Sequence, residues 1–241
     1  MTRLTTLFLM TVTLLAAPMM GISAGFGINA TRLVYPEGSG SITVTVRNTL
    51  THEPYLVQAS ISTKQDKQVT APFVLTPLLF RLEPQSTNQL RIAFTGQPLP
   101  TDRESVFYLH TTAIPASERL DPSRRLSDVQ AQLRFGVGSI IKLFYRPASL
   151  SGASSAAQGG LKFSRVAGGL KLSNPSPFFI SLAEVTADGK RLPLKTPDSL
   201  MVPPYGSYIW PGKTPLTAHA RVQWQTINDS GGIDVFNATL P

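Results

Sequence analysis

The chain has 241 residues, a formal net charge of +8 and no cysteine. The missing cysteine excludes a thiol nucleophile, a thiolate metal site and a disulfide framework. The basic balance points to an anionic partner, but Arg124-Arg125 is the densest basic patch and no run of four basic residues occurs, which argues against nucleic acid.

Residues 1–24 read as a secretory signal. Arg3 supplies the positive start, Leu7 to Met20 is a mostly apolar run of 14 residues, and Ile22-Ser23-Ala24 offers a small-residue cleavage site. The run is too short to span a bilayer. A retained membrane anchor is the competing reading, and the lack of a polar spacer before the strand-like Ala30-Thr-Arg-Leu-Val-Tyr35 speaks against it. The mature chain then starts near Gly25 and holds 217 residues with a charge of +7. That length carries one large β domain or two of about 100 residues, with enough core to dispense with disulfides.

Strand-like segments follow in succession: 31–35, 41–47, 54–62, 72–75, 88–94, 105–113 and 129–145, then 161–164, 169–173, 178–185, 199–202, 206–210, 220–225 and 233–239. They are rich in β-branched and aromatic residues, and Gly, Pro, Asn or Asp clusters separate them. No stretch of twelve residues keeps a helical period. Short strands at this spacing predict β-sandwiches. Ala148–Gly160 is rich in Ser, Ala and Gly and reads as a linker, which divides the chain into domains at 25–147 and 148–241. Ala116–Asp128 is polar and charged and reads as a mobile loop.

Within 129–147 the pattern is sharper. Val129, Ala131, Leu133, Phe135 and Val137 share one parity, and Gln130, Gln132, Arg134 and Gly136 the other. Such alternation gives a strand one apolar face, here roughly 27 Å long. It faces either the chain's own core or another chain. Lys142 has the opposite parity, so either the strand bulges near Gly136–Gly138 or Lys142 serves the other face.

Enzyme chemistry is not legible. His52, His110 and His219 lie far apart, and Gly136-Val-Gly138-Ser139 lacks the spacing of a nucleophile elbow. No phosphate-binding loop occurs, so neither an enzyme nor a cofactor or metal is expected.

Seven segments, in order, resemble the periplasmic chaperones of fimbriae built by the chaperone–usher route, a PapD-like family. They are Thr31-Arg32-Leu-Val-Tyr-Pro36, Leu75-Thr-Pro-Leu-Leu-Phe-Arg-Leu-Glu-Pro84, Leu90-Arg-Ile92, Leu99-Pro-Thr-Asp-Arg-Glu-Ser-Val-Phe-Tyr108 with Ala113-Ile-Pro115, Ile141-Lys-Leu-Phe-Tyr-Arg-Pro147, Leu172-Ser-Asn-Pro-Ser-Pro-Phe-Phe179 and Ile227-Asn-Asp-Ser-Gly-Gly232. The chain departs from the pattern at His110-Thr111, where Asn and an aliphatic residue are common, in its longer 116–128 loop, and in lacking the disulfide that long-loop members often carry.

The resemblance implies an all-β fold of two immunoglobulin-like sandwiches in an L shape. It implies that the row Val129, Ala131, Leu133, Phe135, Val137 is a donor strand completing a fimbrial subunit, by strand addition. It implies that Arg32 and Lys142 grip the subunit's C-terminal carboxylate. Glu104, Arg146 and Asp229 match an ion-pair set between the domains. Surface pairs are worth about 0–1 kcal/mol, so their expected role is in setting the interdomain angle. The implied partners are fimbrial subunits and an outer-membrane usher, and the implied place is the periplasm of a Gram-negative bacterium. Because an exposed apolar edge invites aggregation, the free protein is expected to cover the row with the 116–128 loop or by reversible homodimerisation. The competing reading is a fimbrial subunit or adhesin, which would have one incomplete sandwich.

Overall fold

A computed structural model describes residues 25–66, 69–116, 135–212 and 219–240. The signal segment, the 117–128 part of the predicted loop, and Val129, Ala131 and Leu133 lie outside the described residues. No helix among the described residues is long and apolar enough to cross a membrane.

Among the described residues the first half carries nine strands: β1 (Phe26–Ile28), β2 (Arg32–Pro36), β3 (Ile42–Asn48), β4 (Tyr55–Ser62), β5 (Phe73–Thr76), β6 (Leu79–Leu82), β7 (Ser86–Phe94), β8 (Ser105–Pro115) and β9 (Val137–Arg146). They form two facing sheets in the orders β1-β3-β7-β5 and β2-β9-β8-β4-β6. Alternation explains why. In β3, Val44 and Val46 turn inward while Thr43 and Thr45 turn out, and β7 answers with Leu90 and Ile92. These side chains, with Val57, Leu109 and Leu143, make one core. Each large one contributes about 1.5–3 kcal/mol on burial.

The second half has β10 (Lys162–Val166), β11 (Gly169–Ser173), β12 (Ile180–Ala187), β13 (Lys190–Arg191), β14 (Met201–Val202), β15 (Ser207–Pro211), β16 (Arg221–Ile227) and β17 (Ile233–Thr239). One sheet runs β10-β11-β15. The other runs β13-β12-β16-β17, with β14 on β12. A second core forms around Trp210, Trp224, Leu172 and Leu182. The molecule is therefore all-β with two sandwich domains.

Two segments differ from the sequence reading. The predicted linker 148–160 contains a helix, α1 (Ser154–Gly159). Tertiary contacts order it: Gln158 is buried, its carbonyl accepts from Trp224 Nε1 at 3.0 Å, and its Oε1 accepts from Thr226 Oγ1 at 2.5 Å. The predicted strand 199–202 begins as a helical turn, α2 (Pro197–Leu200), because Thr196 and Ser199 form a capping box.

Candidate functional site

Strand β9 builds the site. Over Lys142–Arg146 it lies between β2, in parallel register, and β8, antiparallel. Over Val137–Ile141 it pairs with β8 alone, so the edge that β2 covers further on is open there. Phe135 is 75% exposed and Val137 44% at that open end. The β8–β9 register is unbroken from Val137 to Tyr145, so there is no bulge. Of the two explanations of parity, the structure takes the second. Ile141, Leu143 and Tyr145 enter the core, and Lys142, Phe144 and Arg146 occupy the opposite face, toward the second domain.

On that face the register sets Arg32 directly beside Lys142. Arg32 is 9% exposed. Its Nη1 donates to the carbonyl of Ile227 in the second domain at 2.7 Å. Its Nε is buried without a partner among the described residues. Burial lowers its pKa, against the pull of Asp229. Lys142 Nζ reaches Ser181 Oγ, also in the second domain, at a long 3.4 Å. Burial, then the charge of Arg32, brings Lys142 down to about 8. Buried Arg32 and half-buried Lys142 are thus neighbouring cations whose hydrogen-bond partners among the described residues are neutral oxygens, a costly arrangement that an anion with several lone pairs, such as a carboxylate, would relieve. Next to it, Gly231 presses the β16–β17 turn onto the first domain: its φ is +87°, and an added Cβ would lie 2.3 Å from Thr31 Oγ1. Only a residue without a side chain fits there.

Glu104, Arg146 and Asp229 also come together. Arg146 Nε donates to Glu104 Oε1 at 2.7 Å, and its Nη1 and Nη2 donate to the two oxygens of Asp229 at 2.8 and 3.1 Å. The backbone N–H of Phe179 donates to Glu104 Oε2 at 2.8 Å. The Glu104 half of the set is not a surface pair, because Glu104 is only 3% exposed, whereas Asp229 at the other end is exposed. Burial pushes the Glu104 carboxyl up more strongly than Arg146 pulls it down. Burial also lowers Arg146, but Asp229 and Glu104 together outweigh it, so the guanidinium stays above its ordinary value. Phe144, between Lys142 and Arg146 on β9, meets Phe179 of the second domain in a tilted ring contact, centroids 5.8 Å apart.

Sequence reasoning did not single out Ser181, the Ile227 carbonyl or the Phe144–Phe179 contact. A hydroxyl and a backbone oxygen carry no pattern that marks them as seats for a cation. His110 is tied to Ser62, 2.7 Å from Nε2 to Oγ, and the described residues hold no group of three metal-ligating side chains.

Residues 25–151 match the family model "Pili and flagellar-assembly chaperone, PapD N-terminal domain", and residues 156–238 match "Pili assembly chaperone PapD, C-terminal domain". The chain is 36% identical over 208 residues to the probable fimbrial chaperone protein ElfD of Escherichia coli O157:H7, covering 86% of this chain and 83% of that one. It is 32% identical over 223 residues to the chaperone protein caf1M of Yersinia pestis, covering 87% and 83%. Among solved structures, the E. coli chaperone DraB superposes with a TM-score of 0.73 at 35% identity, covering 90% of this chain and 97% of that one. The Salmonella enterica SafB chaperone, solved in complex with the SafA pilin, gives 0.73 at 32% identity, with the same coverage.

Proposed function

The chain belongs to the PapD family of pilus-assembly chaperones, and from that premise we propose that it captures fimbrial subunits in the periplasm by lending them β9 and its N-terminal extension. The observation that carries this reading is the pairing of an open strand edge, Val137–Ile141, with the adjoining buried Arg32 and half-buried Lys142, neither of which forms an ion pair among the described residues. An extended subunit segment adds to the open edge through its main chain, and alternate donor side chains enter its groove. Its terminal carboxylate then lies at Arg32 and Lys142. Donor residues Val129, Ala131, Leu133, Phe135 and Val137 supply the apolar part, about 1.5–3 kcal/mol for each large side chain buried. Association costs roughly 4–15 kcal/mol, so the carboxylate anchor is needed as well. Glu104, Arg146 and Asp229 hold the two halves of the cleft in place. The loaded chaperone delivers its subunit to an outer-membrane usher, with no nucleotide or other cofactor. Both family models are of chaperone domains, which leaves the alternative of a fimbrial subunit or adhesin without support.

Phe135→Asp tests the donor row. Phe135 is exposed in the free chain, so folding should be unchanged. Recovery of a co-expressed subunit should fall at least about tenfold, from loss of one large buried apolar side chain. We also infer that the free protein covers its row by reversible self-association, so the same variant should sediment as a monomer where the wild type associates. Undiminished recovery would remove the row from the mechanism.

The cation pair sets a pH dependence. A carboxylate favours protonated Lys142, so above a pKa of about 8 binding must take up a proton. Affinity should be level below pH ~7 and fall as the pH rises through 8, approaching tenfold per unit. Folding responds with the opposite sign: charged Lys142 burdens the free protein at low pH, and the burden is relieved between about 8 and 10.5. Calorimetric titration of subunit binding between these limits reads the first effect, and a flat profile would place the carboxylate elsewhere.

A further inference from the structure

We infer that Tyr205 is a positioning residue that locks the orientation of the second domain, and with it the spacing of the cleft. Tyr205 has φ +57°, a left-handed conformation that is uncommon for a bulky side chain. The strain is local to the turn before β15, where the N–H of Tyr205 donates to the carbonyl of Ser176 at 3.1 Å and that of Gly206 to Pro203 at 3.0 Å. A residue held this way at a surface turn calls for a reason. The side chain supplies one, because it crosses to the first domain. Its hydroxyl donates to the carbonyl of Asp102 at 3.3 Å, and its ring lies under the Arg103 guanidinium, 5.2 Å from centroid to Cζ. Arg103 is in turn held by a 2.7 Å ion pair with Asp102.

The position of this contact matters more than its strength. The neighbouring residue, Glu104, anchors the Arg146–Asp229 set and receives the N–H of Phe179, and its own N–H donates to the carbonyl of Pro177 at 2.9 Å. One segment of the first domain, Asp102–Glu104, thus grips the second domain at two places. The domains also meet at Arg32–Ile227, Phe144–Phe179 and Thr31–Gly231. The contact at Tyr205 adds a restraint to these and narrows how far Arg32 and Lys142 stand from the Ile227 carbonyl and Ser181. Exposed cation–π contacts are weak, so the lock shifts a population of orientations rather than deciding whether the domains fold.

The absence of native cysteine makes the test direct. Thr87→Cys on β7 and Lys190→Cys on β13, both exposed, carry a pair of spin labels, and the distance distribution is measured on the free full-length protein. Tyr205→Gly relieves the backbone strain and removes the side chain. It should broaden the distribution, raising the population of other orientations about two- to fivefold, without lowering thermal stability. Tyr205→Phe keeps the ring under Arg103 and should restore most of the wild-type width. Arg103→Ala should broaden the distribution as Tyr205→Gly does, and the double variant should broaden it no further. A Tyr205→Gly distribution as narrow as the wild type, or additive broadening in the double variant, would overturn the assignment. No subunit is present in the measurement, so its result is independent of the subunit-capture reading.

Discussion

Arg32→Ala is expected to abolish subunit recovery while leaving a folded protein. Arg32 is a buried cation that, among the described residues, has a partnerless Nε and one hydrogen bond, from Nη1 to the Ile227 carbonyl. Removing one partner of a buried, hydrogen-bonded charge pair typically costs about 2–5 kcal/mol of binding, or roughly 30-fold to several thousandfold in Kd. The free protein should behave differently. It holds buried Arg32 beside half-buried Lys142, with no ion pair to either among the described residues, so deleting Arg32 relieves desolvation and repulsion together. Its folding free energy should stay within about 1 kcal/mol of the wild type, or exceed it. Lys142→Ala should act in the same sense and less strongly, because the 3.4 Å contact to Ser181 is long. Recovery of a co-expressed subunit and a thermal melt, done together, check this. Lost recovery with an intact melt is the expected pair, and normal recovery by both variants would overturn the anchor.

The second large effect is expected at Glu104, and it is on stability. Glu104→Ala removes the acceptor of both the Arg146 Nε bond and the Phe179 N–H bond. Asp229 still holds Arg146, which limits the loss, but the Phe179 amide is left without that acceptor. The cost should be about 2–4 kcal/mol. Because the lost Phe179 bond runs between domains, and the lost Arg146 bond holds the residue that reaches Asp229 in the second domain, it should appear as uncoupling. Scanning calorimetry should resolve two transitions where the wild type gives one. Glu104→Gln, which can still accept from Phe179 but no longer carries the charge that attracts Arg146, should fall between. A single unshifted transition in Glu104→Ala would mean that these bonds do not couple the domains.

The strands were legible where alternation was long and punctuation clear. Gly169–Ser173 and Ile233–Thr239 have the bounds the sequence predicts, each closed by Gly, Asn or Pro. Phe26–Ile28, Leu79–Leu82 and Lys190–Arg191 were missed because two to four residues cannot display a period. The helix Ser154–Gly159 was read as linker because its composition is that of one, and what orders it is remote in sequence, at Trp224 and Thr226.

The site divides in the same way. Arg32 and Lys142 drew attention through family resemblance, but their direct apposition depends on a parallel register that no local pattern encodes. Asp102-Arg103-Glu104 looks like one charged loop. In the fold its residues part, with Glu104 buried and the ion pair of Asp102 and Arg103 exposed. Ser181 and the Ile227 carbonyl became visible only once the second domain was set against the first.

The central claim is that a free carboxylate is bound between Arg32 and Lys142 at the end of the open β9 edge. Isothermal calorimetry with an extended peptide of alternating apolar residues, as the free acid and as its C-terminal amide, tests it most directly. The free acid should bind at least about tenfold more tightly, the contribution expected of hydrogen bonds to a charged group, and the difference should vanish in Arg32→Ala. Equal affinity of the wild type for acid and amide would contradict the account.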